Sequence, residues 1–330
     1  MKKYLILFLL SIFTLGMAFN YGFEELEDEI SMKINEEKIS SDYLAAKSGT
    51  ISLLTNLRQQ NDSFYYLLTN TATGIELLNE YNLQQAKKVA NQILFIQFVE
   101  NKEINLNREE TKKLIEEDLN SAIKDSNLKE EDANYYFMTK GYMNKQNYIN
   151  GITYDRLYQT SINKLYNQIS SSYEINEEEM KSEYENNKEN YMQKSTSDIE
   201  IKRFDNIDQA NKAYENIING LNNYEDINKD QTQAVTISLE DENNEIVKMV
   251  KNNAPGYISK PLNLNQNEER FIIKIINKKP QKQLTLEESK EQIIFNLRDK
   301  KTKEYFDKIL PQEITEFVNN SDIIFNSKLF

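Results

Sequence analysis

The residues that could do chemistry in this chain are acids, amides and tyrosines, because it contains neither histidine nor cysteine. Ser–His and Cys–His nucleophiles, histidine-ligated metal sites and disulfides are therefore excluded. Asp226-x-Asn228-x-Asp230 imitates the first half of a calcium loop, but Gln231 stands where that loop needs glycine and Ile237 where it needs a bidentate acid. A polar turn is the favoured interpretation, so we expect no metal and no cofactor.

Two acidic runs could be interpreted as paired carboxylates for acid–base catalysis. They are Glu116-Glu117-Asp118 and Glu177-Glu178-Glu179. Successive residues on a helix do not face each other, so these runs are typical of solvated helix faces and helix starts. Glycine patterns for phosphate or dinucleotide binding are absent from the sequence.

A dense run of tyrosine and methionine extends over Tyr135-Tyr136-Phe137-Met138, Tyr142-Met143 and Tyr148. Core packing explains part of it, but one helix cannot point all of these side chains inward. Exposed methionine and tyrosine make adaptable contacts with extended apolar segments. The candidates for binding unfolded polypeptides are Phe95, Phe98, Tyr136, Met138, Tyr142 and Tyr148.

The element with the clearest start is the helix predicted over 175–191. Asn176 and Glu179 have the spacing of a capping box, and Ile175 and Met180 that of a hydrophobic staple. The chain before this helix is strongly helical, the next ninety residues switch to short alternating runs, and the last fifty return to helix. The helix therefore marks a boundary between two kinds of structure.

Other local patterns predict a predominantly helical α+β chain. The segments 107–110 and 285–288 have the pattern of further capping boxes, and the second opens a long helix that Pro311 interrupts. Alternation of apolar and polar residues or β-rich composition predicts strands near 30–34, 199–201, 235–239, 271–276 and 323–325.

The N-terminus has the pattern of a secretory signal. Lys2 and Lys3 precede an apolar run over 4–15, and Gly16-Met17-Ala18 supplies small residues for cleavage after Ala18. An uncleaved membrane anchor is the alternative. Without the two lysines the formal charge of −13 becomes −15, which disfavours nucleic acid as a partner. We expect a periplasmic or other extracytoplasmic protein that meets a membrane only through the proteins it binds or through an uncleaved signal.

Taken together, these segments resemble the SurA/PrsA family of exported chaperone–isomerases. Their order and spacing match the family over nearly the whole mature chain, although Glu36 stands where the opening turn usually has glycine. The matching segments are the opening strand–turn–helix at 34–40, chaperone-domain helix starts at 103–110 and 151–157, the linker helix at 175–191, the parvulin turn at 254–261 and the returning helix at 284–310.

The resemblance implies a SurA-like helical chaperone domain that is completed by the C-terminal helix and interrupted by a small parvulin-like α+β domain. The expected boundaries are a signal peptide at 1–18, the helical domain at 19–195, the parvulin-like domain at 196–280, and a helix and strand at 281–330 that return to the first domain.

The chain departs from the family at the positions that face the prolyl bond in active relatives. The strand that normally carries histidine is best matched by Asp198-Ile199-Glu200-Ile201, and the closing Gly-Tyr-His by Glu269-Arg270-Phe271. The glycine-rich segment has no counterpart between Lys229 and Glu242. We therefore expect a non-catalytic, degenerate parvulin-like domain. An active peptidyl-prolyl cis–trans isomerase with a rebuilt site is the alternative, because tenfold acceleration needs only about 1.4 kcal/mol.

The function implied by the resemblance is ATP-independent holding of newly exported, unfolded proteins, among them outer-membrane or surface proteins. Such binding is weak and broad. The acidic surface favours basic or neutral clients, a client being the unfolded polypeptide that a chaperone binds. An exported scaffold protein that kept the fold and lost both activities is the remaining alternative.

Overall fold

The structure is a computed structural model that describes residues 20–126, 129–264 and 268–330. The predicted signal peptide at 1–18 lies outside the described residues. Within the described part of the chain, no helix has the length and apolar character needed to span a bilayer.

The described residues form helices and short strands, numbered here in chain order. The helices are α1 (Ser41–Ser48), α2 (Thr50–Gln60), α3 (Asp62–Asn70), α4 (Ala72–Asn101), α5 (Arg108–Asp125), α6 (Glu130–Thr139), α7 (Lys145–Ser172), α8 (Glu177–Asn186), α9 (Ile207–Ile218), α10 (Glu245–Asn252), α11 (Lys290–Lys308) and α12 (Leu310–Asn319). The strands are β1 (Gly22–Glu24), β2 (Ile30–Ile34), β3 (Glu37–Ser40), β4 (Met192–Gln193), β5 (Thr196–Phe204), β6 (Thr232–Ser238), β7 (Arg270–Lys279), β8 (Lys282–Gln283) and β9 (Ile323–Asn326).

The chain divides into two compact units. The helical unit comprises the chain up to Glu174 together with Arg298–Phe330, and the α+β unit comprises Ile175–Leu297. The predicted fold class is therefore confirmed: a predominantly helical α+β chain, in which the C-terminal residues complete a helical domain and an α+β domain is inserted.

The inserted unit is longer than the 196–280 expected from the alternating pattern. It begins at the helix with the capping box and ends inside α11, so 175–195 and 281–297 belong to it. The reason is a small apolar cluster in which Met180, Tyr191 and Ile293 are all buried. This cluster joins α8 to the start of α11, which local sequence patterns do not reveal.

Two of the three predicted capping boxes are present. At 176–179 and 285–288 the two end residues exchange hydrogen bonds of 2.8 to 3.2 Å between side chain and backbone N–H. At 107–110 the asparagine has a φ of 53°, outside the extended region of an N-cap, and its side chain makes no cap bond. Its amide donates to the carboxylate of Glu110 at 2.9 Å instead.

A four-stranded sheet in the helical unit joins the two ends of the described chain. The strand order is β1-β9-β2-β3, so the C-terminal strand lies between two N-terminal ones. Phe325 is opposite Phe23 in parallel register and opposite Met32 in antiparallel register. Met32 and Phe325 are completely buried, and α4, α7 and α12 supply most of the remaining core.

Asn326 secures the same junction by hydrogen bonds. Its side-chain N–H groups donate to the carbonyls of Ile30 at 2.7 Å and Glu27 at 3.2 Å. Its side-chain oxygen accepts from the N–H groups of Leu26 and Lys328. The amide is fully buried. Its donors and its acceptor all have hydrogen-bond partners, and these bonds compensate for the loss of its contacts with water.

A half-buried ion network ties β3, α4 and α5 together. Arg108 contacts Glu37 at 2.7 Å and Glu100 at 2.6 Å, and Gln97 donates to Glu37 at 2.9 Å. Burial alone would raise the pKa of Glu37, but the hydrogen bonds from Arg108 and Gln97 outweigh it and hold that pKa below its usual value.

The α+β unit is built on an antiparallel sheet of order β6-β5-β7. Helix α10 packs on one face and helix α9 on the other. The strands predicted near 199, 235 and 271 are all present. The residues buried on the α10 face are Ile199, Leu239, Val247, Val250, Ile273 and Ile275, and those on the α9 face are Phe204, Ala210, Ala213, Tyr224 and Ile272.

Shortening Phe325 tests the role of the C-terminal strand. Phe325→Ala leaves a cavity in the sheet core and should lower the free energy of unfolding of the helical unit by about 3–5 kcal/mol. Urea unfolding combined with hydrogen exchange of β1 and β2 measures it. Leu329→Ala, at a side chain that is 37% exposed, is the control and should change little. Equal effects of the two substitutions would contradict the role assigned to the strand.

The pH dependence of stability tests the Arg108 network. A carboxylate whose folded-state pKa is lowered contributes stability above its unfolded pKa and loses it as the pH falls through the folded value. The wild type should therefore lose more stability than Glu37→Gln between about pH 5 and pH 3. Urea unfolding across this range is the measurement. Glu36→Gln, at a 99% exposed side chain, should keep the wild-type profile.

Candidate functional site

A paired carboxylate lies in the stretch 198–201, which the family resemblance matches to the strand that normally carries histidine. Asp198 lies on β5; its Oδ1 accepts a hydrogen bond from Thr236 Oγ1 at 2.7 Å, and its Oδ2 is 3.2 Å from Lys279 Nζ. The hydrogen bond from Thr236 and the ammonium of Lys279 hold the pKa of Asp198 below its usual value. An ionised, paired carboxylate has no proton to donate, so it does not replace an imidazole.

The α9 face of the same sheet contains a buried lysine. The Lys202 side chain is 2% exposed, and its Nζ donates to Ile227 O at 2.7 Å and Thr232 Oγ1 at 2.9 Å. It lies 4.7 Å from the ring centre of Tyr224, whose hydroxyl donates to Glu200 O at 3.0 Å. Burial lowers the pKa of Lys202 and raises that of Tyr224. These bonds attach the loop before β6 to the sheet.

The segment that replaces the family's closing Gly-Tyr-His begins β7. Phe271 is opposite Arg203 on β5, and Arg203 forms an ion pair with Glu269. The backbone of Phe271 exchanges hydrogen bonds of 2.8 and 2.9 Å with Leu262. A phenyl ring now occupies the second histidine position, so neither strand offers an imidazole to a prolyl bond.

The parvulin-type turn at 254–261 covers the outer edge of β7. Gly256 has a φ of +90°, which an L side chain rarely adopts, and its N–H donates to Ile275 O at 2.7 Å. Ser259 is buried; its N–H donates to Ile273 O and its hydroxyl accepts from Ile273 N at 2.9 Å. This segment acts as a fourth strand beside β7.

The polar turn at 226–230 has other partners for its side chains. Asp226 pairs with Lys229 at 3.1 Å, and Asn228 donates to Arg203 O at 2.9 Å from a φ of 44°. Among the residues that the structure describes, no group of three or more acidic side chains is arranged to hold a metal ion.

Three of the six residues predicted to bind unfolded polypeptides lie in the core of the helical unit, and the prediction is corrected for them. Phe95 and Phe98 are 1% and 3% exposed and stack on each other at 6.2 Å between ring centres. Tyr142 is 5% exposed and fits against Gly151, where a Cβ would lie 2.5 Å from its hydroxyl. These three side chains point inward, which dense apolar composition alone does not disclose.

The other three candidates are wholly or partly on the surface. Tyr136 is 46% exposed and Met138 is 63% exposed, both on α6. Tyr148 is half-buried and contacts the rings of Tyr136 and Phe137. Phe137 and Ala133 are buried and attach this helix to the core of the helical unit. Tyr136 and Met138 therefore remain available for binding at the surface of the helical unit.

A larger exposed apolar surface lies on α2, α3 and the start of α4, and we call residues 50–81 the helical arm. Helix α2 has no buried residue and α3 has one. Between residues 49 and 82 the charged residues are Arg58, Asp62, Glu76 and Glu80. The large apolar side chains that are 40% to 62% exposed here are Ile51, Leu53, Phe64, Tyr66, Leu67, Ile75 and Leu77.

The arm keeps its shape through one close backbone approach. A Cβ at Gly74 on α4 would lie 2.2 Å from Leu67 O on α3, so only glycine permits this contact. Thr71 between the two helices accepts from Gly74 N–H at 3.1 Å and donates to Leu67 O at 2.6 Å. The chain thus turns sharply with few apolar side chains buried, and most of them remain at the surface.

The sequence of 43–78 has helical character with an apolar run at 64–68, but its spacing assigns no function to it. The signal that could have identified it is the combination of frequent large apolar residues with few charges. No single stripe of helical period accommodates them, so a face of each helix must remain outside.

The bounds of the α+β unit agree with a comparison to known protein families. Residues 175–291 match the family model described as the PPIC-type PPIASE domain. The α+β unit is therefore similar to PPIC-type domains, and the resemblance to SurA and PrsA proteins is confirmed in its parvulin-type part. A comparison with curated proteins finds no match.

Similar solved structures include SurA-like chaperones and PrsA foldases. A SurA-like chaperone of Campylobacter jejuni, from work on PEB4 and Cj1289, is 12% identical, with 90% of this chain and 98% of that one covered, at a TM-score of 0.32. Foldase protein PrsA of Streptococcus pneumoniae is 12% identical, with 78% and 89% covered, at a TM-score of 0.35. PrsA of Bacillus subtilis is 13% identical, with 89% and 91% covered, at a TM-score of 0.25. At these TM-scores the superpositions add nothing to the fold described above.

Proposed function

We propose that this protein is an exported, ATP-independent chaperone that holds unfolded polypeptides, and that its PPIC-type domain is not a catalyst. The observation that supports the holding role most directly is the exposed apolar surface of the helical arm. The N-terminal signal pattern supports an extracytoplasmic location, where unfolded proteins arrive after export.

The arm has the physical properties that broad, weak binding requires. Each square ångström of apolar surface removed from water contributes about 25 cal/mol, so a client segment that covers several half-exposed side chains gains a few kcal/mol. Contacts of this kind have no directional requirement and accept many sequences. Tyr66 and Phe64 add large, adaptable surfaces to aliphatic neighbours such as Leu67 and Leu77.

Charge explains how such a surface avoids general aggregation. The arm has four charged residues in 32 and a net charge of −2, whereas the whole chain has 28% charged residues and a net charge of −13. Two copies of the chain repel each other through their acidic surfaces. An unfolded client that is neutral or basic meets no such repulsion, so we expect these clients to bind best.

The proposal of a non-catalytic domain follows from the two strands that would carry the site. Asp198 is ionised and paired with Lys279, and Phe271 has no polar atom in its side chain. The buried Lys202 and Tyr224 bind backbone carbonyls and lie within the fold. The match to a PPIC-type family keeps catalysis as the alternative for which an experiment is needed.

Removing apolar surface from the arm tests the holding role. Ile51→Ser, Tyr66→Ser and Leu77→Ser combined should reduce suppression of client aggregation several-fold, because the buried apolar area on binding falls. Light scattering of a chemically unfolded outer-membrane-type protein, diluted into buffer with the chaperone, measures it. Circular dichroism verifies that the helical content is retained.

The matched control changes three side chains of similar exposure in the α+β unit. Ile218, Leu221 and Phe295 are 58%, 70% and 57% exposed. Changing all three to serine should leave protection near the wild-type level. If the two triple variants protect equally well, the arm is not the binding surface; Tyr136→Ser with Met138→Ser then tests α6.

A protease-coupled assay with prolyl peptides tests catalysis. The mature protein should not accelerate cis–trans isomerisation above the uncatalysed rate, because both strand positions lack an imidazole. A clear acceleration that is retained after repurification would establish the alternative, an isomerase with a rebuilt site. Absence of both acceleration and aggregation suppression would favour an exported scaffold protein.

A further inference from the structure

The sheet of the α+β unit has one covered edge and one open edge. The turn segment 256–262 pairs with β7 and covers that side. On the other side, β6 pairs with β5 from Thr232 to Ser238, and no described segment pairs with its outer side. Ala234, Thr236 and Ser238 are all exposed.

The register shows which backbone groups of β6 face outward. Leu239 N–H donates to Ser195 O at 2.9 Å, so this pair is hydrogen-bonded. Hydrogen-bonded and non-hydrogen-bonded pairs alternate in an antiparallel ladder. Val235 and Ile237 therefore direct their N–H and C=O groups toward β5, whereas Ala234, Thr236 and Ser238 direct theirs to the open side.

β6 lacks the features that usually protect an edge strand. Its sequence Thr-Gln-Ala-Val-Thr-Ile-Ser contains no charge and no proline, and its register with β5 is uninterrupted over seven residues. The edge strands of the four-stranded sheet in the helical unit differ from β6: β1 has only three residues, and β3 contains the charged residues Glu37 and Lys38. The open edge of β6 is thus a row of donors and acceptors with a spacing that only an extended backbone matches.

The surroundings of β6 define the side chains of a suitable partner. Val235 and Ile237 continue the apolar face under α10, whereas Thr236 on the opposite face binds Asp198. An added strand would therefore place alternate apolar residues beside the first face and polar residues beside the second. Glu240, Asp241 and Glu242 follow Leu239 at the C-terminal end of β6; Glu240 pairs with Lys194 and Glu242 with Lys251. Three acids against two lysines leave a negative charge there, so basic residues suit the N-terminal end of an antiparallel partner.

We propose that the open edge of β6 binds an extended segment of an unfolded polypeptide as an added antiparallel strand. The preferred segment alternates apolar and polar residues and begins with lysine or arginine. This site is separate from the helical arm. The edge of β6 binds through backbone hydrogen bonds, whereas the arm binds through buried apolar area. The proposed holding function explains only where the bound segment comes from, namely an unfolded client. Binding at the edge of β6 can be tested without an aggregation assay.

The test uses a labelled peptide of two lysines followed by four alternating Val-Thr pairs, with binding followed by fluorescence anisotropy. Ala234→Pro removes one outward N–H without touching the ladder to β5, and its ring obstructs an incoming strand. It should weaken binding about tenfold or more. Ala234→Thr keeps the N–H at the same place and should bind like the wild type.

Methylating backbone nitrogens of the peptide makes the test independent of any protein variant. Peptides N-methylated at the valines and at the threonines expose their remaining N–H groups on opposite sides of the strand. One set should bind and the other should not, since only one side faces β6. Equal binding of the two sets, or unchanged binding by Ala234→Pro, overturns the proposal.

A second copy of the chain is the competing occupant of the same edge. Sedimentation measurements of the wild type and of Ala234→Pro address it directly. A wild-type dimer that Ala234→Pro dissociates, with no peptide binding, would show that the edge pairs with itself and would overturn the proposal. A monomer that binds the peptide supports it. Loss of peptide binding with retained aggregation suppression would separate failure of this inference from failure of the holding function.

Discussion

The position of β9 between β1 and β2 is the constraint on which the helical unit depends. A strand from the last ten residues completes a sheet that begins near residue 22, and Phe325 and Asn326 fill and bond the junction. The core of α4 and α7 lies against this sheet. Because β9 belongs to the helical unit, the chain must leave that unit after Glu174, form the whole inserted unit, and return at Arg298.

The α+β unit has the sheet that the family resemblance implies, but it lacks the histidine side chains expected on that sheet. Ser259 and Gly256 still secure the parvulin-type turn, and apolar residues fill both faces of the sheet. Asp198 and Phe271 lie in the two stretches, 198–201 and 269–271, where the family resemblance implies histidine, and each is engaged in local pairing. A fold of this kind tolerates such changes because packing under α9 and α10, and not the site residues, stabilises it.

Charge and apolar surface are distributed unequally along the chain. The whole chain has 28% charged residues with a net charge of −13, whereas the helical arm has four charged residues and β6 has none. These two regions offer different physical interactions: nondirectional apolar contact on the arm and ordered backbone hydrogen bonding at the sheet edge. A polypeptide without stable structure can use both, because it exposes apolar side chains and unpaired backbone groups at once.

The amino-acid sequence by itself determined the local features: the capping boxes at 176–179 and 285–288, the strands near 30–34, 199–201, 235–239, 271–276 and 323–325, and the absence of histidine chemistry. These depend on neighbours a few residues apart, where spacing is informative. Only the tertiary structure decided which large side chains stay outside. Phe95 and Phe98 are the same residue type as Phe64, yet the first two are buried and Phe64 is 48% exposed, because burial depends on which other helices pack on each face. The open edge of β6 likewise follows only from the tertiary structure, because the sequence of a strand does not determine whether another strand pairs with it.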